Sequence, residues 1–460
     1  MDGQRASRSR IRPIAGGLLL LWIGGALALA GCMPDIGTQT VPEAMEFDPG
    51  TGRVPQPTVL VINPATGKID MSLAGVTVPA DCLAQTAMPV AQCEFYQYLQ
   101  SLDGFPTTAG AIAPATAALI PASLKATNVV VVDIARQKTF PDLAFGVDEA
   151  TKNLTIDPTA GWDVGALYVG AVRGYANGVK AVGPVEAVDG IEVVASSVMF
   201  LLKEETSLMC GAATAADIPA SCPYMTLLTQ QMPDAEARAS LVSLEAVRQG
   251  LGALGAFGAM TDLGGMPKAE QAVLWAFPTH SASVIELDPT KGLLPKVNGT
   301  REIRLKVKGE VDPATVTAWS LDAPGTVFLL DLTALANDDL GGGLPAFSVA
   351  VADGALVLTA DADLPDGHTI ATLVTTGVKN PAGVALVAPP ITVLLKSRGP
   401  LVDAQGHSQV PSDVSDADAA QLEGGRADFA TLLDDELFAS LTGLARADLA
   451  YVYGFNFPNP

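Results

Sequence analysis

The sequence predicts a mainly β fold with helical insertions: two tandem antiparallel β-sandwiches, each with a helical excursion before its last strand. Three observations lead there. Short β-branched or alternating runs are separated by Gly, Pro and Asp; the apolar period changes from that of a strand to that of a helix late in each half; and the chain repeats itself. Apolar residues make up 49% and charged residues 17% of the 460, with 45 Gly and 33 Pro, which excludes a coiled-coil rod and one small module alike.

The repeat is read from spacing. Leu244-Glu245 with Arg248 recurs as Leu422-Glu423 with Arg426, and residues 273–277 recur as 451–455, both 178 positions on. Leu201-Leu202-Lys203 recurs as Leu394-Leu395-Lys396, 193 positions on, so the first copy holds 15 additional residues between these markers. Cys210 and Cys222 fall in that surplus.

Taken in order, runs 128–134, 154–156 and 166–172 read as strands of the first copy, and 302–308, 326–330, 355–358 and 370–374 as strands of the second. The apolar runs 191–203 and 391–396, which end in the Leu-Leu-Lys phrase, also read as strands. Leu241, Leu244, Val247, Leu251, Leu254 and Phe257 then recur every three or four residues, forming one helix face. Phe429, Leu433, Leu437 and Leu441 do so in the second copy, behind a Ser415-Asp416 start. An aromatic strand closes each copy. The organisation expected is a signal segment (1–31), a cysteine and flexible tether (32–57), a first module (58–283) and a second (284–460).

The signal segment carries Arg5, Arg8, Arg10 and Arg12 before an uncharged stretch from residue 14 to 30. It ends in Leu29-Ala30-Gly31-Cys32, which resembles a bacterial lipobox, so Cys32 is the expected lipidated first residue of an envelope protein. Met33 in the next position resembles the sorting pattern for the outer membrane. Cleavage removes four arginines and one aspartate and moves the formal charge from −22 to about −25. A chain so acidic is repelled by phosphate backbones and anionic lipid surfaces, which excludes nucleic acid as a partner and leaves acyl chains as the membrane attachment.

The remaining cysteines form two local pairs, Cys82 with Cys93 and Cys210 with Cys222. Three connectivities are possible, and an oxidising compartment favours disulfides over metal at spacings of 11 and 12 with no nearby His. Asp361, Asp363 and Asp366 before Gly367 have the composition of a calcium loop, but Pro365 interrupts the ligand spacing and a hairpin turn is the plainer reading. Three histidines are present: His280 beside Ser281, His407 beside Ser408, and His368. Adjacency does not create a triad, and loop hydrogen bonding is their expected role. Glu245–Arg248 and Glu423–Arg426 read as ion pairs securing a helix to its sandwich. Trp275, Tyr451 and Tyr453 read as core. No cofactor motif is found: the run Gly250, Gly252, Gly255, Gly258 lacks the Lys-Ser/Thr of a phosphate loop.

Residues 102–108 (Leu-Asp-Gly-Phe-Pro-Thr-Thr), 121–124, 266–268 and 402–408, with the Leu-Leu-Lys phrases, resemble the N-terminal, immunoglobulin-like region of the bacterial virulence-factor lipase family of surface lysophospholipase lipoproteins. The resemblance implies tandem immunoglobulin-like modules and export, and in that family a hydrolase domain follows. No serine of this chain has Gly at both −2 and +2, so the nucleophile elbow is missing. The expectation is a non-catalytic lipoprotein displaying a binding or spacer surface to an envelope protein or surface ligand. The alternative is a lipid hydrolase or its accessory subunit. Replacing Cys32→Ser should leave an unprocessed precursor without fatty acid by mass spectrometry; a normally acylated variant would refute the lipobox reading.

Overall fold

The computed structural model describes residues 43–175, 178–182, 190–229, 232–411 and 414–457. Cys32 and the signal segment lie outside them.

A two-residue strand, Ala44–Met45, pairs with Val194–Ala195, and one α-helix, α1 (Val90–Ser101), precedes the longer strands. The first module pairs β1 (Ala111–Pro114), β2 (Val129–Asp133), β3 (Leu143–Asp148), β4 (Asn153–Pro158), β5 (Leu167–Arg173) and β6 (Gln271–Pro278) into two antiparallel sheets, ordered β1-β4-β3 and β2-β5-β6. Between β5 and β6 run α2 (Ser197–Leu202), α3 (Pro223–Thr229), α4 (Asp234–Ala253) and α5 (Ala256–Asp262).

The second module contains β7 (Val284–Ile285), β8 (Glu302–Lys308), β9 (Val327–Asp331), β10 (Phe347–Ala352), β11 (Ala355–Ala360), β12 (Thr369–Thr375) and β13 (Leu449–Asn456). Its sheets are ordered β7-β8-β11-β10 and β9-β12-β13. Helices α6 (Leu332–Ala336) and α7 (Leu340–Gly343) follow β9, whereas α8 (Pro390–Leu395), α9 (Asp416–Leu433) and α10 (Glu436–Thr442) lie between β12 and β13. The fold is thus mainly β with helical pieces, and the pairing order is the same in both modules.

Side-chain alternation builds three layers. Val327 and Leu329 of β9 point toward Ile303, Leu305, Leu356 and Leu358 of the facing sheet, while Phe328 and Leu330 join Leu373, Val452, Phe429 and Phe438 beneath the helices. The β9-β12-β13 sheet is therefore covered on both faces, as β2-β5-β6 is by α5, and its strands carry unbroken apolar runs. At the edge, β10 alternates between exposed and half-buried positions.

Three expectations are corrected. The Leu-Leu-Lys phrases themselves lie in helices, α2 and α8, started by Ser196 capping Met199 N–H and by Pro389-Pro390, although Ile191–Glu192 and Val194–Ala195 of the first run are short strands as expected. Four consecutive residues of α8, Thr392 to Leu395, are buried, and six residues span fewer than two turns, too few for a period to register. Residues 43–57 of the expected tether are part of the fold, because Met45, Phe47 and Val54 are buried and the segment bridges β1 at Gln56↔Ile112 and its neighbour at Met45↔Ala115; residues 32–42 lie outside the described ones. Main-chain pairing to an open edge needs few apolar residues, so composition alone suggested a linker. Finally, the span 58–283 serves both modules: Ala91 and Phe95 of α1 pack with Val393, Leu394 and Leu401. Tyr98 donates its hydroxyl to the Ala388 carbonyl at 2.7 Å, and Glu94 accepts from Ser397 and Arg398.

The two local disulfides are present, Cys82–Cys93 and Cys210–Cys222, with Cα separations of 5.6 and 5.9 Å. One fastens the segment entering α1, the other the segment entering α3. Tyr224 of α3 meets Thr206 and Glu204, the positions that correspond to Gly399 and Ser397 against which α1 packs. A cystine-tied helix thus buttresses the same loop twice, once from within the insert and once from the chain before the first module's sheets.

Residues 102–108 form the junction between the modules. Lys291 donates to the Thr108 carbonyl at 2.8 Å, and Lys308 to those of Ala160 and Trp162 at 2.6 and 2.9 Å. A Cβ on Gly104 would lie 2.4 Å from the Thr279 carbonyl carbon, so only glycine permits this approach. Gly104→Ala should therefore cost roughly 1–3 kcal/mol, read as a lowered denaturant midpoint; a variant that unfolds with the parent would show that the junction is not closely packed.

Candidate functional site

The helical insert of each module is held by a carboxylate. Glu245 of α4 takes Arg248 Nε and Nη2 at 2.8 and 2.7 Å, the Leu208 N–H at 2.9 Å and Gln249 Nε2 at 2.8 Å. Glu423 of α9 takes Arg426 Nε and Nη2 at 2.8 and 2.7 Å and the Leu401 N–H at 2.8 Å. Each arginine also reaches a carbonyl at 3.4 Å, that of Glu204 or of Ser397. The Arg248 hydrogen bonds pull the Glu245 carboxyl down to about 2 despite its burial. Burial pushes Glu423 up, but Arg426 and the Leu401 N–H outweigh it and its pKa is lowered. Gly424 and Gly425 do not interrupt α9, and Gly425 lets α8 approach.

A second repeated device was not read from the sequence. Asp133 and Asp331 end β2 and β9, are buried, and accept the N–H of Arg136 and of Ala334 at 3.0 and 2.9 Å. A nitrogen-bearing side chain completes each: the Arg136 guanidinium at 2.6 Å, and His368 Nδ1 at 2.7 Å. The signal was an aspartate closing an apolar strand in both copies. Lys203 and Lys396, which end the Leu-Leu-Lys phrases, are both pulled down to about 8 by burial. Lys396 donates to the Leu449 carbonyl at 2.7 Å, tying α8 to β13.

Among the described residues, the two serines that follow a histidine take other partners. Ser281 gives its hydroxyl to Asp103, not to His280. His280 is 1% exposed, its backbone N–H donates to the Phe105 carbonyl, and its ring Nδ1 has no partner among the described residues. His407 Nδ1 lies 3.3 Å from Asp403, while Ser408 accepts from Val410 N–H. Asp363 is taken up by Arg301 and Thr300 at 2.6 and 2.8 Å, and among the described residues no group of three or more acidic, His or Cys side chains converges for a metal. Trp275 and Tyr451 are buried in the core, and Gly170 makes room for the Trp275 ring.

What the structure adds is a cavity of about 700 Å³ in the second module, between α6–α7 and α9–α10. Trp319, Leu335, Leu344, Leu432 and Phe438 line it, and Asp338, Asp428 and Asp435 stand at its rim. The sequence signal was an excess of leucine between β9 and β10 (Leu332, Leu335, Leu340, Leu344), a connection six residues longer than its first-copy counterpart between β2 and β3.

No family model and no curated protein matches the chain. Among solved structures, the crystal structure of the N-terminal part of the bacterial S-layer protein SbsC is similar over 41% of this chain and 35% of that chain, at 16% identity and a TM-score of 0.16.

Burial lowers the His280 pKa to about 4, whereas the unfolded residue titrates near 6.5. Between these values the unfolded chain takes up a proton that the folded chain refuses, so stability falls as the pH drops from 6.5 to 4, by about 3 kcal/mol. His280→Phe should remove that part of the acid limb in denaturation series across the window; an unchanged slope would contradict it.

Proposed function

We propose that the chain is a non-catalytic envelope lipoprotein, anchored through Cys32 to the outer membrane, whose two immunoglobulin-like modules form one binding body. The observation that carries the reading is the pairing order. Sheets ordered β7-β8-β11-β10 and β9-β12-β13 correspond to the ABED and CFG sheets of an immunoglobulin-like sandwich, with the helical insert in the last connection. In the first module β1-β4-β3 and β2-β5-β6 take the same places, and the 43–57 segment beside β1 takes that of the first strand. The junction contacts favour a single rigid body over a flexible pair.

In support, Ser281 is engaged on Asp103 and Glu245 on Arg248, which gives both groups a part in holding this body together. The resemblance to surface lysophospholipases bears on the modules, and a hydrolase reading makes a different prediction from ours. The purified mature chain should release no product from a short-chain ester or a lysophospholipid above buffer. Saturable turnover lost on Ser281→Ala or Ser408→Ala would overturn the proposal.

A further inference from the structure

We propose that the cavity between α6–α7 and α9–α10 binds a small apolar molecule that carries one cationic nitrogen. This specifies what the binding body takes up, and rests on that reading only in treating the cavity as a site of binding and not of turnover.

Size and lining come first. About 700 Å³ lies within the usual range of small-molecule sites, roughly 300–1,000 Å³. The walls combine leucines with two aromatic rings, Trp319 and Phe438, and Trp319 is held by stacking on Phe328 at a centroid distance of 5.0 Å. Such surfaces bury an apolar body, and their π-faces attract a cation.

Charge selects the head group. The ionisable residues lining the cavity are all acidic: Asp338, Asp428 and Asp435. Asp435 is partly used, since its Oδ1 accepts the Phe438 N–H and caps α10. The Asp338 and Asp428 carboxylates take part in no hydrogen bond or ion pair among the described residues, in contrast to Asp133, Asp331, Asp363 and Asp403, each of which is engaged. Two free carboxylates beside an apolar cavity repel an anionic head and favour a cationic one, and the strongly negative field of the whole chain acts in the same direction.

The comparison between copies separates this site from the shared scaffold. The glutamate–arginine clamps and the strand-end aspartates occur twice. The α6–α7 excursion occurs once: the corresponding first-copy connection is six residues shorter and forms a two-residue strand, Lys138–Thr139. The duplicated fold does not require the extra turns, and they supply one wall of the cavity.

The test titrates octylammonium against octanoate, both below their micelle concentrations, into the chain from residue 33 onward, which contains the whole compact unit Pro42–Pro460. Tryptophan emission and calorimetry both report binding. Trp162 and Trp275 are sealed in the first module, so Trp319 is the reporter, and Trp319→Phe should abolish the optical response. Octylammonium should saturate and bind about tenfold or more tightly than octanoate. Asp338→Asn with Asp428→Asn should remove most of that preference while leaving the thermal melt unchanged, because both side chains are exposed and unpaired; asparagine also tolerates the positive φ of residue 338. Absence of saturation, equal affinity for octanoate, or an undiminished preference in the double variant would each overturn the proposal, and none depends on whether the chain hydrolyses esters.

Discussion

A helical insert between the last two strands of a β-sheet must be tied down, or the connection is merely a long loop. The carboxylates of Glu245 and Glu423 do this. Each satisfies a bidentate guanidinium one turn along its helix and a backbone N–H of the segment arriving from the preceding short helix. The arginine closes the circuit on a carbonyl of the same segment. Removing one partner of so enclosed a pair leaves a charge stranded, at a cost of about 3–5 kcal/mol, whereas an exposed pair at the same spacing would contribute little. The helices that cover the outer face of β2-β5-β6 and β9-β12-β13 depend on this fastening, and so does the burial of those sheets on both faces.

Duplication shows which features the scaffold needs. Clamp, strand-end aspartate and cystine-tied buttress appear in both modules with the same geometry and different suppliers. Arg136 answers Asp133 from the next turn, whereas His368 answers Asp331 from the neighbouring strand connection. The buttress of the first module lies inside its insert, and that of the second is borrowed from the chain before the first module's sheets. This borrowing makes the two modules one body: α1 cannot leave the second module without pulling on the junction that begins at Leu102. Against that shared frame the α6–α7 excursion stands out as an addition to one copy, and it walls the apolar cavity.

Much of the strand content was legible because covered sheets leave unbroken apolar runs and half-covered ones leave alternation, as 129–132 and 302–308 illustrate. The long helices were legible from their apolar faces, although α4 and α5 break at Gly255, whose positive φ redirects the chain. The short helices α2 and α8 were not: six residues span fewer than two turns, too few for a period to register, and four consecutive residues of α8 are buried. Residues 43–57 were misread because pairing to a sheet edge uses the main chain, which composition does not report. The clamps were visible as i, i+3 pairs recurring at one offset, but their backbone partners Leu208 and Leu401 were not, being 22 or more positions away.

By itself the sequence determined the β-rich class, the duplication, the local cysteine pairs and the acidic surface charge, all of which follow from residue type and spacing along the chain. Tertiary structure decided which module each segment serves and where the unclaimed space lies. That α1 belongs with α8, that Ser281 is bound to Asp103, and that two carboxylates stand unpaired beside Trp319 and Phe438 are matters of contact between residues far apart in sequence. Burial, partner and cavity are properties of such contacts, and a linear pattern carries them only where the chain happens to repeat itself.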